Sequence, residues 1–159
     1  MKDINEILFI DGLILGNSMS VKRILVGIDD TAGSRDALDF AIELGRSLNA
    51  QLIACHAIGK LPRTPEGRLI SLKAYHASVV QTFEEEWCRP LDESGLRSQK
   101  ITVDGNPVSS LLTIAAEEQA DLVILGSRRH TIDSFLASTS HQLIEHSPVP
   151  VVVVPSKSS

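Results

Sequence analysis

The sequence predicts an α/β fold: a doubly wound, Rossmann-like parallel sheet of five strands with helices on both faces. Three observations carry that expectation. From Ala120 to Pro155 the chain reads strand, loop, helix, strand, which is a βαβ unit and therefore a parallel pair. The strands of that unit, Leu122–Leu125 and Val149–Val154, are runs of Val, Ile and Leu without polar alternation, as strands covered on both faces are. The same alternation of strand and helix repeats upstream, giving the order β-α-β-α-β-α-β-α-β.

Strand one is expected at Lys22–Ile28, ending at Asp29-Asp30. Thr31, Gly33 and Ser34 form a loop and N-cap cluster. Ala37, Leu38, Ala41, Ile42 and Leu48 follow at helical spacing, with Asp36 near the helix start where the macrodipole favours an acid. Strand two is Gln51–Ile58, and the segment 59–67, with Pro62 and Pro65, reads as a loop. A long helix follows on Leu69, Leu72, His76, Val79, Val80, Phe83 and Trp87, kinked or ended by Pro90 and closed by Gly95. Leu72, Phe83 and Trp87 are read as core. Strand three is Ser98–Val103, and Asn106 followed by Pro107 marks the next helix start. Val108, Leu111, Leu112 and Ala115 give that helix its buried face.

The first twenty residues stand apart. Ile7 to Leu15 is a short hairpin signal turned by Asp11-Gly12. Met19 directly precedes the first convincing strand and can serve as an alternative start, so residues 1–20 are read as an extension and 21–156 as the domain.

Composition narrows the function. At 159 residues the chain is long enough for one core. A net charge of −5, with no basic run beyond Arg128-Arg129, argues against a nucleic-acid face. No segment reads as a membrane span or a secretory signal, and Cys55 and Cys88 stand in no ligand spacing. Reduced thiols in a cytoplasmic protein are therefore expected.

Four stretches together resemble the universal stress protein family: KRILVGIDDTAGS on strand one, LIACHA on strand two, VDGNPVSSLL after strand three, and LVILGS with HSPVPVVVVP at the end. The resemblance spans about Val21 to Pro155 and implies strand order 3-2-1-4-5, homodimers, a cytoplasmic location and a role in stress survival. In the family's nucleotide-binding branch, ATP lies over the ends of strands one and four. Physics agrees, because a crevice opens where neighbouring strands lead to helices on opposite faces. By that resemblance the candidate cofactor-binding residues are Asp29 for the ribose, Ala57 near the adenine, Gly105, and Gly126, Ser127, Arg128, Arg129, Ser138 and Thr139 around the phosphates.

The phosphate loop departs from the ATP-binding pattern of glycine, two residues, glycine, nine residues, glycine, then serine or threonine. Gly126 is present, but Arg129 takes the second glycine position and Ala137 the third. The loop is two residues short as well, with ten residues between Gly126 and Ala137. Arginine cannot cheaply adopt positive φ or let the backbone press on phosphate. In this it resembles the universal stress protein A branch, which is not expected to bind ATP in the usual way. The expectation is a regulatory or protective module without a resident cofactor, ATP or AMP binding being the alternative. Arg128, Arg129 and His130 can hold an anion by their side chains, or form a solvated loop tip. Ser138, Thr139 and Ser140 read as helix-start caps that can also meet phosphate or be phosphorylated.

Other chemistry finds no support. Cys55 and His56 point to opposite faces of a strand, and His141 and His146 to different sides of a helix, so neither pair is a metal site. No nucleophile elbow, CxxC or HExxH occurs, and no catalytic residues are assigned. Val149–Val154 would lie at the sheet edge, where pairing with its copy about a two-fold axis hides it.

Overall fold

A computed structural model describes residues 20–59, 71–127 and 137–157, apart from the side chains of 137 and 138. The N-terminal hairpin, the loop with Pro62 and Pro65, and the Arg128-Arg129-His130 stretch lie outside the described residues.

Five parallel strands form one sheet in the order β3-β2-β1-β4-β5. They are β1 (Arg23–Gly27), β2 (Gln51–Ile58), β3 (Ser98–Asp104), β4 (Leu122–Gly126) and β5 (Val151–Val154). Between them lie α1 (Ala32–Leu48), α2 (Leu72–Thr82), a π turn (Phe83–Trp87), α3 (Arg89–Glu93), α4 (Pro107–Glu117) and α5 (Ala137–His146). The unbroken apolar runs make physical sense here, because successive residues of one strand enter two different cores. Ile24 and Val26 of β1, with Leu122 and Ile124 of β4, pack with Leu38 of α1, Phe83 and Leu91. Leu25, Val123 and Leu125 face the other way, onto Leu111 of α4 and Leu143 of α5. Adjacent strands β1 and β4 thus feed helices on opposite sheet faces, and the sheet splits open above their C-terminal ends.

Local chemistry fixes the helix starts. Thr31, extended at φ −84° and ψ 154°, caps α1 by accepting from Ser34 N–H. The Asn106 side chain accepts from Val108 N–H and Ser109 N–H ahead of Pro107. α1 ends where Asn49 turns left-handed, and Gly95 takes φ +70° beyond α3.

Several expected details are corrected. The long helix is three pieces: α2 ends at Thr82, a π turn follows, and Pro90 sits in the first turn of a new helix, where its missing donor costs nothing. Leu72 is 66% exposed rather than core, because α2 buries no residue, whereas Phe83 is fully buried. Leu48 is also exposed, at the C-terminal end of α1. Asp36 lies beyond the first turn of α1 and accepts from Lys157 N–H (2.8 Å) instead of facing the helix start. β5 begins at Val151, since Pro150 has no N–H for a ladder. Thr139 and Ser140 lie inside α5, which starts at Ala137, so they are not caps.

Candidate functional site

A crevice of about 310 Å³ opens above β1 and β4. Asp29, Asp30, Thr31 and Ser34 line one wall, Thr139 and Ser140 of α5 another, and Cys55, His56 and Ala57 the end of β2. Pro107, Leu111 and Leu125 give it an apolar side. The register explains the gathering: Gly27 pairs with Cys55, so the residues after each continue side by side over the sheet's end.

Hydrogen bonds order the loop after β1. Asp29 N–H donates to Ser34 Oγ (2.9 Å), and Asp29 Oδ1 accepts from Thr31 N–H (2.9 Å) and from the Thr31 hydroxyl. Thr31 Oγ1 in turn accepts from Ser34 N–H (3.2 Å). The carboxylate is therefore held by the helix cap it precedes.

Of the residues expected at the site, Asp29, Ala57, Gly126 and Thr139 line this crevice. Gly105, at φ +137°, lies in a neighbouring groove with Ile58, Leu72 and Tyr75. Ser127 looks away: its N–H donates to Val154 O (2.7 Å) and its hydroxyl accepts from Ser156 N–H (3.1 Å), pinning the C-terminal segment. Arg128, Arg129 and the Ser138 side chain fall outside the described residues.

Gly126 owes its identity to packing. Among the described glycines only Gly95 and Gly105 have positive φ, so no turn requires it. A Cβ there would stand 2.7 Å from Ser34 N and closer still to the carbonyl of Gly33. A Cβ on Gly33 would meet the carbonyl of Ser127 in the same way. The two glycines let the start of α1 lie directly on the end of β4, which sets the crevice width.

Sequence reasoning missed Ser34, His56 and Pro107 as crevice residues. The signal for His56 was available in register, one position past Cys55. The thiol of Cys55, buried in the crevice floor, is pushed up to about 11 by burial, so it stays protonated at neutral pH. Cys88 is raised to about 12, chiefly by burial, with Lys100 lowering it and Asp92 and Glu84 raising it. Both cysteines are free. No group of His, Cys, Asp and Glu among the described residues could hold a metal ion. No described helix is long and apolar enough to cross a membrane.

This fold has known counterparts. Universal stress protein YxiE of Bacillus subtilis is 26% identical over 145 residues, covering 83% of this chain and 97% of its own. The structure of protein MJ0577 superposes with a TM-score of 0.74 at 25% identity, covering 88% of this chain and 99% of that one. The Arabidopsis thaliana protein At3g01520, solved with AMP bound, shares the fold with a TM-score of 0.60 at 15% identity, covering 86% and 93%. The model of the universal stress protein family matches residues 20–155, the whole sheet with its helices, and the chain belongs to that family.

Proposed function

We propose that the chain is a cytoplasmic stress-response module, regulatory or protective and not an enzyme, whose crevice receives an adenine mononucleotide and not a gripped triphosphate. The crevice itself carries this reading. Its lining offers the Asp29 carboxylate, ordered by Thr31, for a ribose, Ala57 and Leu125 as apolar surface for a base, and the Thr139 and Ser140 hydroxyls for a single phosphate. At 310 Å³ it has room for a nucleotide-sized guest. A plant protein of the same fold holds AMP. Arg129 and Ala137 stand at glycine positions of the ATP-binding pattern and the loop is two residues short, which favours a mononucleotide over a triphosphate held by main-chain amides. The Cys55 thiol, raised by burial, is no activated nucleophile.

The domain, 21–156, is proposed to work as a homodimer joined through the Val149–Val154 segment. β5 is the outer strand of the sheet, and its outward edge is a template for a second copy.

Calorimetry with AMP, cyclic AMP and ATP–magnesium tests the ligand. AMP is expected to bind at micromolar Kd, with ATP no tighter, and Asp29→Asn to weaken AMP about tenfold or more, the scale of a hydrogen bond to a charged group. ATP binding tenfold tighter than AMP would overturn the mononucleotide reading. No AMP binding at millimolar concentration would overturn the nucleotide reading altogether.

A further inference from the structure

One side chain in the crevice is tied to backbone in a way that neither packing nor metal binding explains. His56 leaves β2 on the face of Phe83 and Trp87, opposite Cys55, and its Nδ1 lies 2.7 Å from the Ile28 carbonyl oxygen. A carbonyl only accepts, so Nδ1 carries the proton, whether the ring is neutral or charged. Ile28 N–H meanwhile donates to Cys55 O (2.8 Å). Consecutive residues of β2 thus hold both backbone groups of Ile28, one residue past the last paired position of β1.

The consequence runs through one planar peptide. The Ile28 carbonyl and the Asp29 N–H belong to the same rigid unit, so orienting one orients the other. His56 holds the oxygen and Ser34 Oγ receives the N–H (2.9 Å). The peptide that launches Asp29 is clamped at both ends, and the carboxylate is then fixed by Thr31. The ring itself is braced. Phe83, fully buried, stacks at 6.0 Å between centroids, and Trp87 meets it edge-on at 5.0 Å. Both belong to the π turn, where Cys88 N–H reaches back to Phe83 O (3.0 Å). Single π turns inside helices commonly accompany functional sites, and this one presents two aromatic rings to one imidazole.

We propose that His56 is the positioning residue of the crevice: its Nδ1–H, braced by the π turn, sets the Ile28–Asp29 peptide and thereby aims the Asp29 carboxylate at the ligand. The ligand part rests on the nucleotide reading above; the aiming of Asp29 does not. His56→Phe keeps an aromatic ring against Phe83 and Trp87 but lacks the donor, whereas His56→Asn keeps a donor near the Nδ1 position.

AMP calorimetry should show His56→Phe weakened about tenfold, His56→Asn within about threefold of wild type, and no further loss when His56→Phe is added to Asp29→Asn. Equal losses for Phe and Asn, or losses that add to Asp29→Asn, would overturn the proposal. Amide hydrogen exchange at Asp29, measured without ligand, decides the positioning independently. Faster exchange in His56→Phe but not in His56→Asn supports it even where AMP does not bind, and unchanged exchange in both refutes it. Ring nitrogen NMR of the wild-type protein needs no variant. A ring carrying a proton at Nδ1 is expected, and one protonated only at Nε2 would end the idea.

Discussion

A methyl group added at position 126 tests whether the crevice is set by contact between two backbones. In Gly126→Ala the new Cβ would lie 2.7 Å from Ser34 N and nearer to the Gly33 carbonyl, whereas carbon contacts settle at about 3.5–4.0 Å. None of these atoms is the far end of a flexible side chain, so α1 or β4 must move by on the order of 1 Å. Overpacking of this kind costs about 1–3 kcal/mol, and rigid backbone on both sides places this case toward the top. The alanine also removes unfolded-chain entropy, which returns about 0.4–1 kcal/mol. The net is roughly 2 kcal/mol of lost stability, or a Tm lower by about 4–8 °C for a domain of this size. Gly59→Ala is the control, since nothing among the described residues lies within 4 Å of its Cβ and a surface change is expected within about 0.5 kcal/mol. Thermal melts followed by circular dichroism provide the assay. Gly33→Ala should behave like Gly126→Ala, and the double variant should lose less than the sum, because one displacement of α1 relieves both clashes. A Gly126→Ala protein that melts within about 1 °C of Gly59→Ala would refute the backbone-contact reasoning.

Two further outcomes are expected. Light scattering at tens of micromolar should give twice the 17.2 kDa chain mass. Pro150 O and Val154 O accept from the β4 side, so Val151 and Val153 turn their N–H outward; Val153→Pro should then give a folded monomer, and a wild-type monomer would count against the dimer. The raised thiols give a pH dependence with a definite sign. Folded Cys55 and Cys88 titrate at about 11 and 12 against an ordinary value of 9.0, so the folded state holds more protons above pH 9. Their contribution is fully present below pH 9 and lost as pH rises toward 11–12, so urea unfolding should show stability falling across that window. Cys55→Ala/Cys88→Ala should flatten the fall, and an unchanged slope would show that other groups cause it.

The sheet was legible because its evidence is local. Unbroken Val, Ile and Leu runs mark strands with two covered faces, and Asn106-Pro107 and Gly95 punctuate the helices through chemistry that acts over a few residues. Asp29 was legible as a candidate through the family resemblance, together with its place at the end of a strand. The long helix was misread for the complementary reason. Apolar spacing at Leu72 suggested core, but whether a stripe is covered depends on what packs against it, and nothing described covers α2.

By itself the sequence determined the alternation of strands and helices, the loop chemistry at Thr31 and Asn106, and the loss of glycines from the phosphate loop. Only the tertiary structure decided what Gly126 and His56 do. A glycine looks the same in sequence whether it serves a turn or a close approach, and here the partner is Gly33, 93 positions away along the chain. The reach of His56 to the Ile28 carbonyl likewise exists only once β2 lies in register beside β1. Such contacts are set by strand pairing across the fold, which no short stretch of the chain encodes.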